Sequence, residues 1–164
     1  MGILNFVKPD KIVLQKATEF EAIFEFRPLE PGYGVTIGNS LRRVLLNSLE
    51  GYAIIGINIA GADHEFATLK GITEDVTEII LNLKQVRIKK KVEHEVNVEK
   101  VTLSIKNKTE FNAGMIGEAS PTFEIMNPEL LICTMDSSAK LDIEITIGKG
   151  RGYVPAEENK EKNS

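Results

Sequence analysis

The second half of the sequence contains four successive runs rich in β-branched residues, and these runs constrain the fold more than any other feature. They are "QVRIKKKVE", "EVNVEKVTLSIKN", "PTFEIMNPELLICTMD" and "AKLDIEITIGKGRGYVP". Several alternate apolar and polar residues, most clearly at Leu141, Ile143, Ile145 and Ile147. A period of two is typical of strands, because successive side chains lie on opposite faces. The second half therefore predicts an antiparallel sheet.

The first half mixes strand and helix signals. Alternation in "TEFEAIFEF", which includes Phe20, Phe24 and Phe26, predicts a strand with one buried face, and the apolar run "YAIIGINIAGA" predicts a strand buried on both faces. "ITEDVTEIILNLK" has helical spacing, and we expect Thr73 to be its N-cap. The closing "AEENKEKNS" is predicted to be disordered. The whole pattern favours a two-layer α+β architecture in which a mostly β subdomain is inserted within a smaller one.

The stretch "GYGVTIGNSLRRVLLNSL" predicts a helix with apolar residues on both faces. At roughly 100° per residue, one arc, which we expect to be buried, contains Ile37, Leu41, Val44 and Leu45. The opposite side contains Asn39, Arg42, Arg43 and Leu46. A single exposed leucine is ordinary in a soluble protein, but an aliphatic residue flanked by arginines has the composition of a protein interface. We therefore predict that the helix contacts its own core on one face and another chain on the other.

Composition limits the classes of protein to consider. The apolar fraction of 42% and charged fraction of 27% are those of a folded chain, and 164 residues suffice for one ordinary domain. The net charge of −4 gives no general attraction for nucleic acid, whose binding would need a local patch and would depend steeply on salt. The single cysteine, Cys133, excludes an internal disulfide, suits a reducing cytoplasm and is predicted to be buried. The sequence predicts neither a signal peptide nor a membrane span.

Catalytic and metal-binding chemistry is not indicated. The two histidines, His64 and His94, lie thirty positions apart in strand-like contexts, whereas zinc sites need clustered cysteines and histidines. No nucleophile, base and orienting group can be assembled from the pattern. The sequence therefore predicts no catalytic residue, no metal and no cofactor.

One motif leaves a second function open. "IGKGRGYVP" places Lys149 and Arg151 between glycines, which is compatible with a small phosphate- or nucleotide-binding domain. It lacks the Walker spacing, and no helix is predicted to follow it. We favour a basic turn that leaves a strand, with Tyr153 available for a protein contact.

Three long motifs, "EPGYGVTIGNSLRRVLLNSL", "ADHEFATLKGITEDVTEIILNLK" and "IGKGRGYVPAEEN", occur in order and the match spans almost the whole chain. They resemble the N-terminal assembly region of the bacterial DNA-directed RNA polymerase alpha-subunit family. The resemblance implies an α+β fold with a dimerisation subdomain of strands and a signature helix, incomplete here, and an inserted, mostly antiparallel β subdomain. By position, residues 1–51 would be the early segment of the dimerisation subdomain, 52–154 the insert, and 155–164 the polar tail at the start of the return segment.

The resemblance also implies a function in transcription as a non-catalytic scaffold. In the family, two alpha subunits form a dimer through the signature helix and recruit the beta and beta prime subunits, where nucleotidyl transfer takes place. The positions that match the beta contact are Arg43 and Leu46, with Arg42 and Asn39 on the same side, and Ile37, Leu41, Val44 and Leu45 form the dimer or core face. A second set, at positions where the family contacts its large subunits, comprises Lys84, Gly150, Arg151, Gly152 and Tyr153. No direct contact with nucleic acid and no membrane partner is implied.

The family's N-terminal region continues past "RGYVPA" with another strand and a second dimerisation helix, and a separate C-terminal domain binds DNA. This sequence ends at Ser164. We therefore expect a truncated piece of the family protein, in which the apolar arc of the signature helix is poorly covered. Weak self-association or aggregation is predicted from that exposure.

Overall fold

The computed structural model describes residues 5–18 and 21–162, with the backbone alone at 161 and 162. The described residues form antiparallel strands and short to medium helices. In chain order the elements are β1 (Lys11–Ala17), β2 (Ala22–Arg27), α1 (Tyr33–Asn47), β3 (Glu50–Ile59), α2 (Val76–Leu83), β4 (Ile88–Lys90), β5 (Val98–Lys106), β6 (Glu110–Asn112), α3 (Gly114–Ala119), β7 (Phe123–Ile125), β8 (Leu131–Thr134), β9 (Lys140–Arg151) and α4 (Ala156–Lys162). The expected α+β class with antiparallel sheets is confirmed.

The chain divides into two compact units, Met1–Leu49 and Glu50–Ser164. In the first, β1 and β2 form an antiparallel hairpin in which Ile12 lies opposite Phe26, and α1 follows. None of the described residues of this unit is buried. The strand predicted around Phe24 exists, but its expected buried face is wrong, because Phe24 is exposed. Phe20 lies outside the described residues. We predicted no strand at β1, the strand with which β2 pairs.

The second unit is built on a three-stranded antiparallel sheet in the order β3-β9-β5. The central strand, β9, pairs along almost its whole length on both sides, so that Ile145 lies between Ile57 and Val101. Its alternating isoleucines are buried, as expected for a strand with one face against the core. The antiparallel sheet predicted for the second half is therefore confirmed.

Smaller elements complete the core of the second unit. Two short antiparallel pairs, β4 with β7 and β6 with β8, and the helices α2 and α3 contribute to it. Ile79 of α2, Ile116 of α3 and Phe123 of β7 are fully inaccessible to solvent. Every buried hydrophobic residue of the described chain belongs to this one cluster, which begins at Ile59.

The strand predicted from "YAIIGINIAGA" is present as β3, but it is not buried on both faces. It is an edge strand, and of its residues only Ile59 is buried. The register shifts between Ile54 and Gly56, which leaves Ile55 as an extra, unpaired residue. Such a bulge changes which side chains face inward, and an unbroken apolar run does not reveal it.

The helix predicted from "ITEDVTEIILNLK" begins later than expected. The N-cap is Asp75, not Thr73. The Asp75 carboxylate accepts a hydrogen bond from the Glu78 amide at 2.7 Å, and the Glu78 carboxylate accepts one from the Asp75 amide at 3.2 Å. This reciprocal arrangement is a capping box, which satisfies two amides that a helix N-terminus leaves free. Glu74 lies just before the N-cap, and its carboxylate accepts a hydrogen bond from the Thr134 amide at 2.6 Å.

The C-terminal tail is helical where disorder was predicted. α4 spans Ala156–Lys162, and Glu157 and Glu158 lie in its first turn. Acidic residues there are favoured by the helix dipole. Pro155 precedes the helix, where its lack of a backbone N–H costs no hydrogen bond. The predicted boundary between residues 51 and 52 falls inside β3, whereas the two compact units meet between Leu49 and Glu50.

Candidate functional site

Helix α1 is exposed along its entire length. None of its fifteen residues is buried, and Ile37 alone is partly covered. Leu41 is 56% exposed and Leu45 62% on the arc that we expected to be buried. On the other side Leu46 is 60% exposed and Val35, just before it in angle, 72%. The helix therefore presents apolar side chains to solvent in both directions.

Helix α1 also lacks the usual local stabilisation. Its N-cap, Gly32, offers no side-chain hydrogen bond, the first turn has no acidic residue and the last turn no basic one. Gly34 and Gly38 reduce helix propensity, and an added Cβ at either would meet no other atom within 4 Å. Isolated helices of this length are marginal in water. The stability of α1 must therefore come largely from surfaces that pack against it.

The arginines of α1 are available for contacts with another molecule. Arg42 and Arg43 are exposed, and neither guanidinium has a hydrogen bond or ion pair in the part of the chain that the structure describes. Asn39 is exposed on the same side. A guanidinium buried and satisfied within this chain would have argued against a partner contact. Here each exposed guanidinium has its five N–H donors free, and the aliphatic Leu46 lies beside them.

The "GKGRG" motif lies in a strand as far as Arg151, and only its last residue, Gly152, lies beyond the strand. β9 continues through Arg151 and pairs with β3 up to Arg151 opposite Glu50. The Glu50 carboxylate accepts from Lys149 Nζ at 2.9 Å and from an Arg151 amino group at 2.6 Å, and Glu95 lies 3.3 Å from Lys149 Nζ. Lys149 and Arg151 lower the pKa of Glu50, and Glu50 and Glu95 raise the pKa of Lys149. The cations that a phosphate would need are thus already paired with carboxylates of this chain.

Beyond the strand, the chain turns and exposes an aromatic side chain. Gly152 adopts a φ of 59°, a conformation that favours glycine, and Tyr153 is 89% exposed. Gly150 is exposed within the strand. Lys84, the other predicted contact in this unit, lies at the C-cap of α2 and is exposed, three positions after the exposed Leu81. The predicted residues of this unit therefore lie at the ends of two different elements, α2 and β9.

Residues 57–164 match the family model described as RNA polymerase Rpb3/RpoA insert domain, which is about two thirds of the chain. The chain belongs to this family. The matched region contains the last three residues of β3 and everything that follows it, including every buried hydrophobic residue of the second unit. The resemblance drawn from the three sequence motifs is confirmed.

Curated relatives extend the similarity over the first unit as well. The chain is 59% identical over 160 residues to the DNA-directed RNA polymerase subunit alpha of Cytophaga hutchinsonii, covering 98% of this chain and 48% of the relative. The protein of the same name from Flavobacterium psychrophilum is 56% identical over 164 residues, with 100% and 49% coverage, and that of Bacteroides fragilis 58% over 161 residues. The chain spans about half the length of the curated relatives it matches.

One exposed residue of the insert domain was not predicted from the sequence. Phe66, in the loop between β3 and α2, is 74% exposed. Its neighbours are held by hydrogen bonds: Thr77 Oγ1 donates to the Glu65 carbonyl at 2.8 Å, and the Val76 amide donates to the Ala67 carbonyl at 3.1 Å. A phenylalanine held outward on a fixed loop is suited to protein contact. Its only sequence signal is an aromatic residue in a polar loop.

Other candidate chemistry in the insert domain is not supported. Cys133 is buried, as predicted, and burial raises the pKa of its thiol to about 12, with the Glu74 carboxylate adding to the effect. It is therefore an unreactive core residue at neutral pH. Within residues 5–18 and 21–162, no group of histidine, cysteine and carboxylate side chains is arranged to hold a metal ion. No described helix is both long and apolar enough to cross a membrane.

Proposed function

We propose that this chain acts in transcription as the assembly scaffold of a DNA-directed RNA polymerase alpha subunit. In this proposal it carries no catalytic residue, and nucleotidyl transfer takes place in the large subunits. As part of the full-length subunit it pairs with a second alpha subunit and recruits the beta and beta prime subunits in the cytoplasm. The observation that carries the proposal is helix α1, which is apolar on both faces and has no buried residue.

Each face of α1 suits a different partner. The arc of Ile37, Leu41, Val44 and Leu45 is apolar and nearly free of charge, as the centre of a lasting homodimer interface usually is. The opposite side combines the free guanidinium of Arg43 with the aliphatic Leu46, and Arg42 and Asn39 provide further polar groups. A directional cation beside an apolar anchor is typical of a specific contact with a different protein. We assign the first face to the second alpha subunit and the second face to the beta subunit.

The insert domain would supply further contacts with the large subunits. Lys84, the Gly150–Tyr153 segment and Phe66 all expose side chains or backbone at the ends of elements. Tyr153 and Phe66 are large and largely exposed, so they can bury substantial area on binding. The ion pair of Arg151 with Glu50 holds the start of this segment, Gly150 and Arg151, against β3 and reduces the loss of entropy on binding.

The alternative function, phosphate or nucleotide binding at "GKGRG", is not favoured. Lys149 and Arg151 are paired with Glu50 and Glu95, and Gly148 and Gly150 lie in a paired strand. A nucleotide that bound the folded chain would raise its melting temperature in proportion to the logarithm of concentration. We expect no such shift.

The scaffold proposal is tested by co-expressing the chain with the large polymerase subunits of a close relative and capturing the chain by an affinity tag. We expect the beta subunit to be captured with it. Capture of neither large subunit, with the chain folded by circular dichroism, would contradict the proposal.

A further inference from the structure

A shallow groove runs along the outer edge of β5, with helix α3 as its second wall. It holds about 310 Å³ and is lined by Leu103, Ser104, Ile105, Lys106, Lys108, Met115, Glu118 and Ala119. Successive side chains of a strand point to opposite faces, so a groove that touches four consecutive residues follows the edge of the strand and not one face. Met115, Glu118 and Ala119 are spaced three and four apart, and so form one face of α3. The groove therefore lies between a strand edge and a helix.

The backbone of β5 directs unpaired polar groups into this groove. The Lys149 amide donates to the Asn97 carbonyl at 2.9 Å, so these opposed residues form a hydrogen-bonded pair. Opposed residues of an antiparallel pair alternate between bonded and non-bonded positions. By the observed register, the odd-numbered residues of β5 direct their backbone N–H and C=O groups toward β9. Ser104 and Lys106 direct theirs away from β9, toward the groove. A hydrogen bond on the other side of β9 supports this alternation. The Ala60 amide donates to the carbonyl of Asp142, the residue opposite Ser104, so the backbone of Asp142 points toward β3 and not toward Ser104.

The outward groups of Ser104 and Lys106 have no protein partner among the described residues. β5 is the edge of its sheet, and α3 approaches it without forming backbone hydrogen bonds to it. An edge of this kind accepts an additional strand, in which main-chain hydrogen bonds give affinity and flanking side chains give specificity.

The charges along the groove are polarised. Lys106 and Lys108 lie at one end, and neither forms an ion pair with a described side chain. The charge of Lys106 contributes to lowering the pKa of Asp142, and Lys108 Nζ lies 3.9 Å from Met115 Sδ. Ser120, just after α3, donates to Glu99 near the start of β5, so α3 runs opposite to β5. Glu118 is therefore displaced from the lysines toward the middle of the groove. It is exposed and also lacks an ion pair with any described residue.

We infer that the β5–α3 groove binds an extended segment of another protein by strand addition, with acidic residues of that segment beside Lys106 and Lys108 and a basic residue beside Glu118. A second copy of β5 would bring its own Lys100 and Lys106 to this edge, and the carboxylate of its Glu99 already accepts from Ser120. It therefore offers no free acidic end for the groove. An open groove of this size covers too little of a small molecule to hold it firmly. The inference does not depend on the polymerase proposal, because the groove uses none of the residues assigned to assembly.

The test uses a fluorescein-labelled hexapeptide with glutamate at the first and third positions, lysine at the fifth and valine at the others. Bound antiparallel to β5, it places its glutamates beside the lysines. Fluorescence polarisation measures its affinity for the 164-residue chain, and amide NMR shifts locate the site. We expect binding, with shifts at residues 102–108 and 115–119. The matched control peptide has the same valines with lysine and glutamate exchanged, and we expect it to bind at least about fivefold more weakly.

Two substitutions at one position isolate the backbone contribution. Ser104→Pro removes an outward N–H without breaking a bond to β9, and proline is tolerated at such edge positions. Ser104→Ala removes the hydroxyl and its 2.6 Å hydrogen bond to Asp142 but keeps the N–H. We expect Ser104→Pro to weaken peptide binding about tenfold and Ser104→Ala to leave it within twofold. If Ser104→Pro lowers the melting temperature sharply, Ala119→Arg, which fills the groove from an exposed position on α3, replaces it.

The inference fails if neither peptide binds, if the shifts map elsewhere, or if the proline or arginine variant binds as the unaltered chain does. It also fails if β5 pairs with a second copy, which NMR would show as concentration-dependent shifts at residues 102–106 without peptide.

Exchange of both lysines by Lys106→Glu and Lys108→Glu is expected to reverse the preference between the two peptides.

Discussion

Gly148 and Gly150 lie two positions apart in β9, yet a side chain would meet different surroundings at each. A Cβ on Gly148 would lie 2.5 Å from Ile55 Cδ1 and within 3.3 Å of two further carbons of that side chain, whereas a Cβ on Gly150 meets nothing within 4 Å. Ile55 is the extra residue of the β3 bulge. Gly148 is therefore explained by packing against the bulge and not by phosphate binding.

Gly148→Ala is expected to destabilise the chain by about 1–3 kcal/mol, since Ile55 must move within a packed sheet. Gly150→Ala, in the same motif, is expected to cost less than about 0.5 kcal/mol. Urea unfolding followed by circular dichroism measures both. Equal effects of the two substitutions would show that the bulge does not determine the choice of glycine.

Arg43 is the residue of α1 on which the proposed beta contact most depends. Arg43→Ala is expected to weaken capture of the beta subunit by about 2 kcal/mol or more, roughly thirtyfold, because the guanidinium and its directional hydrogen bonds are lost. The fold should be unaffected, since Arg43 is exposed and has no partner among the described residues. Arg87→Ala, an exposed arginine outside the proposed contact, is the matched control and should be captured normally. Unaltered capture of the Arg43 variant would exclude its assigned role.

At the scale of elements, the sequence predicted those whose periodicity coincides with their packing. β9 and α2 each bury one regular face, and both were found from spacing alone. α3 was missed because Gly114 and Gly117 weaken its helical signal; an added Cβ would come within 3.1 Å of Pro128 at the first and of Ile125 at the second. One face of α1 was predicted to be covered by this chain, yet its side chains are exposed. The spacing of residues reveals an apolar face, but it does not reveal which molecule covers that face.

The capping box of Asp75 and Glu78 at the start of α2 is tested by substitution. Asp75→Ala is expected to cost about 1 kcal/mol, because the Glu78 amide loses its acceptor. Thr73→Ala is the control: the Thr73 side chain is exposed, and its amide, which alanine keeps, donates to the Thr134 carbonyl. The expected difference is a fall in melting temperature of about 2–4 °C for the aspartate variant alone. A larger loss from the threonine variant would restore Thr73 as the cap.

For the whole molecule, stability is concentrated in one of the two units. The described hydrophobic core begins at Ile59, and the first unit contributes no buried residue to it. The hairpin of that unit exposes Ile12, Leu14 and Phe24, and a two-stranded hairpin is at best marginally stable in water. The conformation of the first unit therefore depends on apolar surfaces that cover it, which agrees with a role in assembly.

A fragment of residues 50–164 is accordingly expected to unfold cooperatively at a melting temperature within about 3 °C of that of the whole chain, since it keeps the entire described core. A fragment of residues 1–49 is expected to lack stable structure by circular dichroism, because it cannot offset the entropy of ordering by burial. Light scattering should show association of the whole chain, driven by the exposed leucines of α1, and monodisperse monomers of the 50–164 fragment. A large loss of stability on removing residues 1–49 would contradict the assignment of the stabilising core to the second unit alone. A monodisperse, stable dimer of the whole chain would mean that the apolar arc of α1 is covered without any further segment.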